Sequence, residues 1–109
     1  MYPELSRLEG RVEIVSIFRA QSEEILKLYR EHVPRYLQTL ESAITDMDRE
    51  KVCYQSHKLN SAMKTIGFSA LAERLQYIER AKPDLDQASQ LVKEVRTFID
   101  MTLKVLDDL

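Results

Sequence analysis

Cys53-Tyr54-Gln55-Ser56-His57-Lys58-Leu59-Asn60-Ser61-Ala62-Met63-Lys64-Thr65-Ile66-Gly67-Phe68 reads as a helix with a defined end. With Val52 just before it, Ser56, Leu59, Met63 and Ile66 recur at intervals of four, three, four and three. That spacing makes one buried helix face. Gly67 supplies a left-handed C-cap and admits Phe68 to the core. At about 100° per residue, His57 lies roughly 140° from the middle of the apolar stripe and points to water. Its neighbours one turn away, Cys53, Asn60 and Ser61, are modest in size and are expected to face outward with it. An exposed imidazole among low neighbours calls for a chemical reason.

The same periodicity extends outward from this helix. Upstream, Ile25, Leu28, Tyr29, Val33, Leu37, Leu40 and Ile44 mark a long helix that Ser22 caps, with Glu23 and Glu24 in its first turn. Pro34 inside it removes one backbone hydrogen bond, so the spacing predicts a kink rather than a break. Asp46-Met47-Asp48 is the turn, and Asp48 caps the histidine helix. Earlier still, Leu5, Leu8, Val12, Val15 and Phe18 predict a first helix from Pro3 to about Ala20, with Gly10 as a soft point. Downstream, Ser69 starts a helix lined by Leu71, Leu75 and Ile78, and Lys82-Pro83-Asp84 ends it. The last helix runs from about Leu85 to Leu106, with Ala88, Leu91, Val95, Phe98, Ile99 and Leu106 inward. Long amphipathic helices on short connections pack as antiparallel neighbours. The expected fold is all-α: an up-and-down antiparallel four-helix bundle with an additional short N-terminal helix.

Composition sets the class. The 109 residues are expected to form one domain over 1–109, its core at about 12–108. Hydrophobic residues make up 44% and charged residues 31%, the balance of a globular chain rather than a disordered one. Two glycines and three prolines leave little material for turns. A net charge of -2 argues against a nucleic-acid surface, which would be distinctly basic. One cysteine forms no internal disulfide and fits a reducing compartment. No apolar run approaches the length of a membrane span and no signal-peptide pattern opens the chain. A cytoplasmic domain without direct membrane contact is expected.

Metal chemistry has little support in the sequence. His32 and His57 are far apart, and the Glu-x-x-His pairing of bundle di-metal sites does not occur. Cys53 and His57 stand at i,i+4, yet no oxyanion-hole or substrate-pocket pattern accompanies them. His32 has no special setting. No Gly-rich phosphate loop suggests ATP binding.

His57-Lys58-Leu59-x-Ser61, with Gly67 ten residues after the histidine and Leu71 and Leu75 on the next helix, resembles the histidine-phosphotransfer (HPt) domains of two-component phosphorelays. The family pattern is roughly His-x-Leu-Lys-(Gly/Ser), five further residues, then Gly, and the resemblance runs from about Val12 to Leu106. It implies that His57 accepts a phosphoryl group from an aspartyl phosphate of a receiver domain, or from a kinase, and passes it to another receiver. An ordinary imidazole, with a pKa of about 6.5, offers a neutral nucleophilic nitrogen near pH 7. The other ring nitrogen then holds the proton and needs an acceptor to orient it. The resemblance puts that acceptor at Glu79, with Gln76 one turn earlier as a secondary neighbour. Ser61 takes the small-residue position that keeps access open. Mg²⁺ and the catalytic carboxylates belong to the receiver by the same resemblance, and this chain is a phosphoryl carrier without a cofactor, expected to be a monomer.

One position departs from the pattern. Where the family usually has lysine three residues after the histidine, this chain has Asn60. Lys64, two turns beyond His57 and about 20° out of phase with it, is the candidate substitute. Lys58 points about 100° away and is a poorer one. Two rival readings accompany this one. Ser56-His57-Lys58-Leu59-Asn60-Ser61 also resembles the histidine box of sensor-kinase dimerisation helices, although Lys58 stands for its acid and Ala62 for its proline. A helical adaptor bundle, with His57 incidental, is the other.

Overall fold

The computed structural model describes residues 11–109, and five helices lie among them: α1 (Arg11–Arg19), α2 (Glu23–Thr45), α3 (Arg49–Ile66), α4 (Ser69–Ala81) and α5 (Leu85–Asp107). The expectations for Leu5, Leu8 and Gly10 fall outside the described residues. Helix α3 packs on α2 and α4, α5 packs on the same two, and α1 lies against α5. The bundle is therefore α2–α5, antiparallel in sequence order, with α1 across one end. At 1.5 Å per residue, the two longest helices account for the 37 Å long axis.

Local chemistry sets each boundary. Ser22, Asp48 and Asp84 occupy N-cap positions, each accepting a hydrogen bond from the backbone N–H three residues on. Gly67 ends α3 at φ 110°, where its N–H reaches the Met63 carbonyl. A side chain there would be strained by the backbone rather than by its neighbours. Helix α2 continues through Pro34 without a break. Ser69 is the first residue of α4, but Phe68 holds the cap position and no side chain bonds there. The start of α4 is thus fixed by burial of Phe68 rather than by a hydroxyl.

Two apolar positions expected inside are outside. Val12 is 80% exposed, and Ile14 and Phe18 are the buried residues of α1. Their spacing of four selects the inward face, and Val12, two residues before Ile14 and thus about 160° round the helix from it, falls on the opposite side. Leu28 is 45% exposed on α2, beside the buried Tyr29. Leu91 is half-buried, with Val92 taking the inward place. Val15, Ile25 and Ile44 are also only partly buried against the core.

The lower end of the bundle is aromatic. Phe68 meets Phe18 at 5.5 Å and Phe98 at 5.7 Å between ring centroids, and Phe18 meets Tyr29 at 5.3 Å, all edge-on. The Tyr29 hydroxyl lies 2.6 Å from Thr102 Oγ1, which donates to the Ile99 carbonyl. Gln21 donates to the Ile66 carbonyl at 2.9 Å, so the link after α1 also closes the end of α3. Midway along the bundle, Arg96 of α5 makes a forked pair with both carboxylate oxygens of Glu41 on α2. Those hydrogen bonds hold the guanidinium above its ordinary pKa.

Candidate functional site

His57 sits mid-way along α3 with its side chain 60% exposed. Its Nδ1 is 2.8 Å from Glu79 Oε2, across the α3–α4 seam. An ionised carboxylate only accepts, so Nδ1 carries the proton and donates it to Glu79. In the neutral ring Nε2 is then the unprotonated nitrogen, its lone pair free on an exposed face. Glu79 is itself three-quarters covered, and its backbone carbonyl accepts from Cys53 Sγ at 3.7 Å. Helix α3 therefore grips Glu79 twice, at main chain and side chain. The carboxylate has a fixed origin from which to hold the ring.

The remaining candidates divide. Ser61 and Lys64 are exposed on α3, and Gln76 is half-buried on α4. Among the described residues Glu79 makes the hydrogen bond to the ring, and Gln76 makes none. Cys53 and Asn60 do not face outward as expected: Cys53 is half-buried and Asn60 is only 4% exposed. Both lie on the flank of α3 that α4 covers, about 40–60° round from His57. A single helix's periodicity cannot say how far a neighbouring helix closes over its flank, and here α4 closes further than the apolar stripe implies. Glu79 projects from α4 toward that flank.

Helix α2 shapes the opposite flank. Lys58 Nζ lies over the Tyr36 ring at 5.1 Å and the Tyr54 ring at 5.3 Å, which turns its charge away from His57. Tyr36 also stacks on His32, at 5.8 Å. The Tyr54–Lys58 half of this arrangement is an i,i+4 pair legible in the sequence. Tyr36 arrives from another helix and carried no such signal. Beside this stack a groove of about 320 Å³ runs between α2 and α3, lined by Ile25, Leu28, His32, Tyr36, Ser61 and Ala62 among others. Ser61 places the groove one turn from His57.

No group of three His, Cys, Asp or Glu residues is gathered as a metal site among the described residues. No helix there is long and apolar enough to cross a membrane. Comparisons with curated proteins and with solved structures give no match. The Hpt domain family profile matches residues 13–105, a span that touches all five helices and contains the His57–Glu79 pair. The chain belongs to the Hpt domain family, whose members carry out histidine phosphotransfer in two-component phosphorelays.

Proposed function

We propose that His57 is the phosphoryl acceptor of this domain and that Glu79 orients it. The observation that carries this reading is the Nδ1–H···Glu79 bond, which leaves Nε2 unprotonated on an exposed face. Nε2 attacks the phosphorus of a receiver's aspartyl phosphate. The N–P bond forms, the P–O bond to aspartate breaks, and the carboxylate leaves with the electron pair. The ring keeps its Nδ1 proton and becomes cationic, and the adjacent Glu79 carboxylate balances that charge. Mg²⁺ stays with the receiver, and the reverse sequence hands the phosphoryl group to a second receiver. Lys64 adds a positive charge at longer range, two turns along the exposed face. The test is label transfer from a phosphorylated receiver in stoichiometric amount. Absence of label on this chain would reject the reading.

The pair has a measurable signature. Glu79→Ala lowers the transfer rate roughly ten- to hundredfold, the value of one hydrogen bond to a charged acceptor. Glu79→Gln, whose amide oxygen still accepts from Nδ1, recovers part of the loss. Nitrogen NMR reads the cause directly, as the neutral ring shifts toward its Nε2–H form in the alanine variant alone. Equal rates in all three proteins would remove Glu79 from the mechanism.

The groove between α2 and α3 is the surface on which the receiver rests, because it opens beside His57 and its walls are apolar. Ser61→Arg therefore slows transfer at limiting receiver while changing stability by less than about 0.5 kcal/mol, as expected at an exposed helix position. An unchanged rate would move docking elsewhere. The chain acts in the cytoplasm, by itself or as the cytoplasmic part of a membrane-anchored hybrid kinase. Four helices from one chain close the bundle, which favours a monomeric carrier over kinase dimerisation helices. A dimer mass in gel filtration would reverse that preference.

A further inference from the structure

We propose that Ser56 is a positioning residue, the small side chain that lets α4 come close enough for Glu79 to hold the His57 ring; this rests on the roles given to His57 and Glu79 above. Helical spacing puts Ser56 on the inward face of α3 with Val52, Leu59, Met63 and Ile66. It is the smallest of the buried residues of that helix, and it is completely covered. Its hydroxyl oxygen is sealed from solvent and has no hydrogen-bond partner among the described residues. A dry, unpaired hydroxyl costs stability, so what serine contributes at this position is its size.

Glu79 spans one turn of α3. Its backbone carbonyl accepts from Cys53 Sγ at 3.7 Å, and its carboxylate accepts from His57 Nδ1 at 2.8 Å. Ser56 lies inside that turn, about 4.5 Å along the axis from Cys53 and about 1.5 Å from His57. Around the helix it falls about 60° from Cys53 and about 40° from Val52, between the two. Cys53 meets α4 through Glu79, and Val52 and Cys53 line one cavity with Ile78 of α4. Ser56 therefore faces α4 at the height of Glu79. The distance between packed helices is set by the side chains at the contact, so a larger residue there moves α4 outward. A hydrogen bond of 2.8 Å has only about 0.4 Å to give before it leaves the ordinary range. Glutamate is already the longest carboxylate side chain, and its main chain moves with α4. Bulk at position 56 thus takes the acceptor away from Nδ1. The neutral ring then drifts toward the tautomer protonated on Nε2, which occupies the nucleophilic nitrogen.

The test is a size series at position 56 in the intact chain, read by nitrogen NMR of the His57 ring and by label transfer from a phosphorylated receiver. Ser56→Ala keeps the Nδ1–H form and the parent rate, and its Tm stays level or rises by a few degrees as the unpaired hydroxyl goes. Ser56→Val moves the neutral ring toward its Nε2–H form and slows transfer roughly tenfold, the loss of one hydrogen bond to a charged acceptor. Placed in Glu79→Ala, Ser56→Val slows transfer no further, because both changes remove the same contact. Ala43→Val overpacks the buried face of α2 instead, and it lowers Tm without changing the ring's tautomer. If Ser56→Val does not fold, Ser56→Thr adds a single methyl and is read in the same way. A parent-like tautomer in the bulky variant overturns the proposal, as does a slowing that persists undiminished in Glu79→Ala. A tautomer change in Ser56→Ala or in Ala43→Val overturns it too, since size at the seam is then not the cause. The tautomer is read without any phosphoryl donor. A parent chain that takes no label therefore rejects the acceptor reading, while the NMR series still decides the role of Ser56.

Discussion

Replacing His57 with glutamine abolishes phosphoryl uptake and leaves the fold intact. Glutamine has a comparable reach and polarity, and its amide nitrogen has no available lone pair, so the nucleophile alone is removed. The side chain is 60% exposed and its one hydrogen bond goes to Glu79, which keeps a path to solvent. Stability therefore changes by less than about 0.5 kcal/mol, the usual range at an exposed position. The assay mixes each protein with a phosphorylated receiver and follows label on both chains. With the parent chain the receiver loses label to an acid-labile, alkali-stable adduct. With His57→Gln the receiver keeps its label except for its own hydrolysis. His32 is the chain's other imidazole, half-buried and stacked on Tyr36. Label persisting on His57→Gln and vanishing on His32→Gln would transfer the acceptor role to α2 and sink the assignment to His57.

The architecture was legible because most of the helix ends are announced locally. Ser22, Asp48, Gly67 and Asp84 mark boundaries through backbone hydrogen bonds that involve only near neighbours in sequence. The inward faces of α3 and α5 were largely legible for a similar reason, since each is flanked by two or more helices and buries a wide stripe. Val12 and Leu28 were misjudged because hydrophobicity does not reveal whether a partner exists for a given face. At the site, outward projection of His57 is a matter of helix phase. Its approach to Glu79 came from the family resemblance and not from spacing. The depth of Asn60 was illegible, because it depends on how closely α4 lies against α3. So was the seat of Lys58 on Tyr36, which requires α2 to arrive at that height.

Phe68→Ala costs about 3–5 kcal/mol, the range for truncating a buried aromatic ring. Phe68 is fully buried and meets Phe18, Tyr29 and Phe98, so one ring joins α1, α2 and α5 to the α3–α4 turn. A domain of this size is stable by only about 5–15 kcal/mol, so the variant loses a large share of its margin. In urea the midpoint falls while the slope is unchanged, as for a two-state loss of stability without altered compactness. The same experiment decides whether α1 belongs to the cooperative unit. Phe18 is the fully buried ring of α1 and touches Phe68 and Tyr29. If α1 is integral, Phe18→Ala costs a similar amount, and the double variant costs less than the sum by about 0.5–1.5 kcal/mol, the edge-on pair being counted once. Phosphotransfer in both single variants survives at temperatures where they stay folded, because Gly67 lies about 15 Å along the helix from His57. A Phe18→Ala cost below about 1 kcal/mol beside a large Phe68→Ala cost would mean that α1 detaches freely, and that the bundle of α2–α5 is the folding unit on its own.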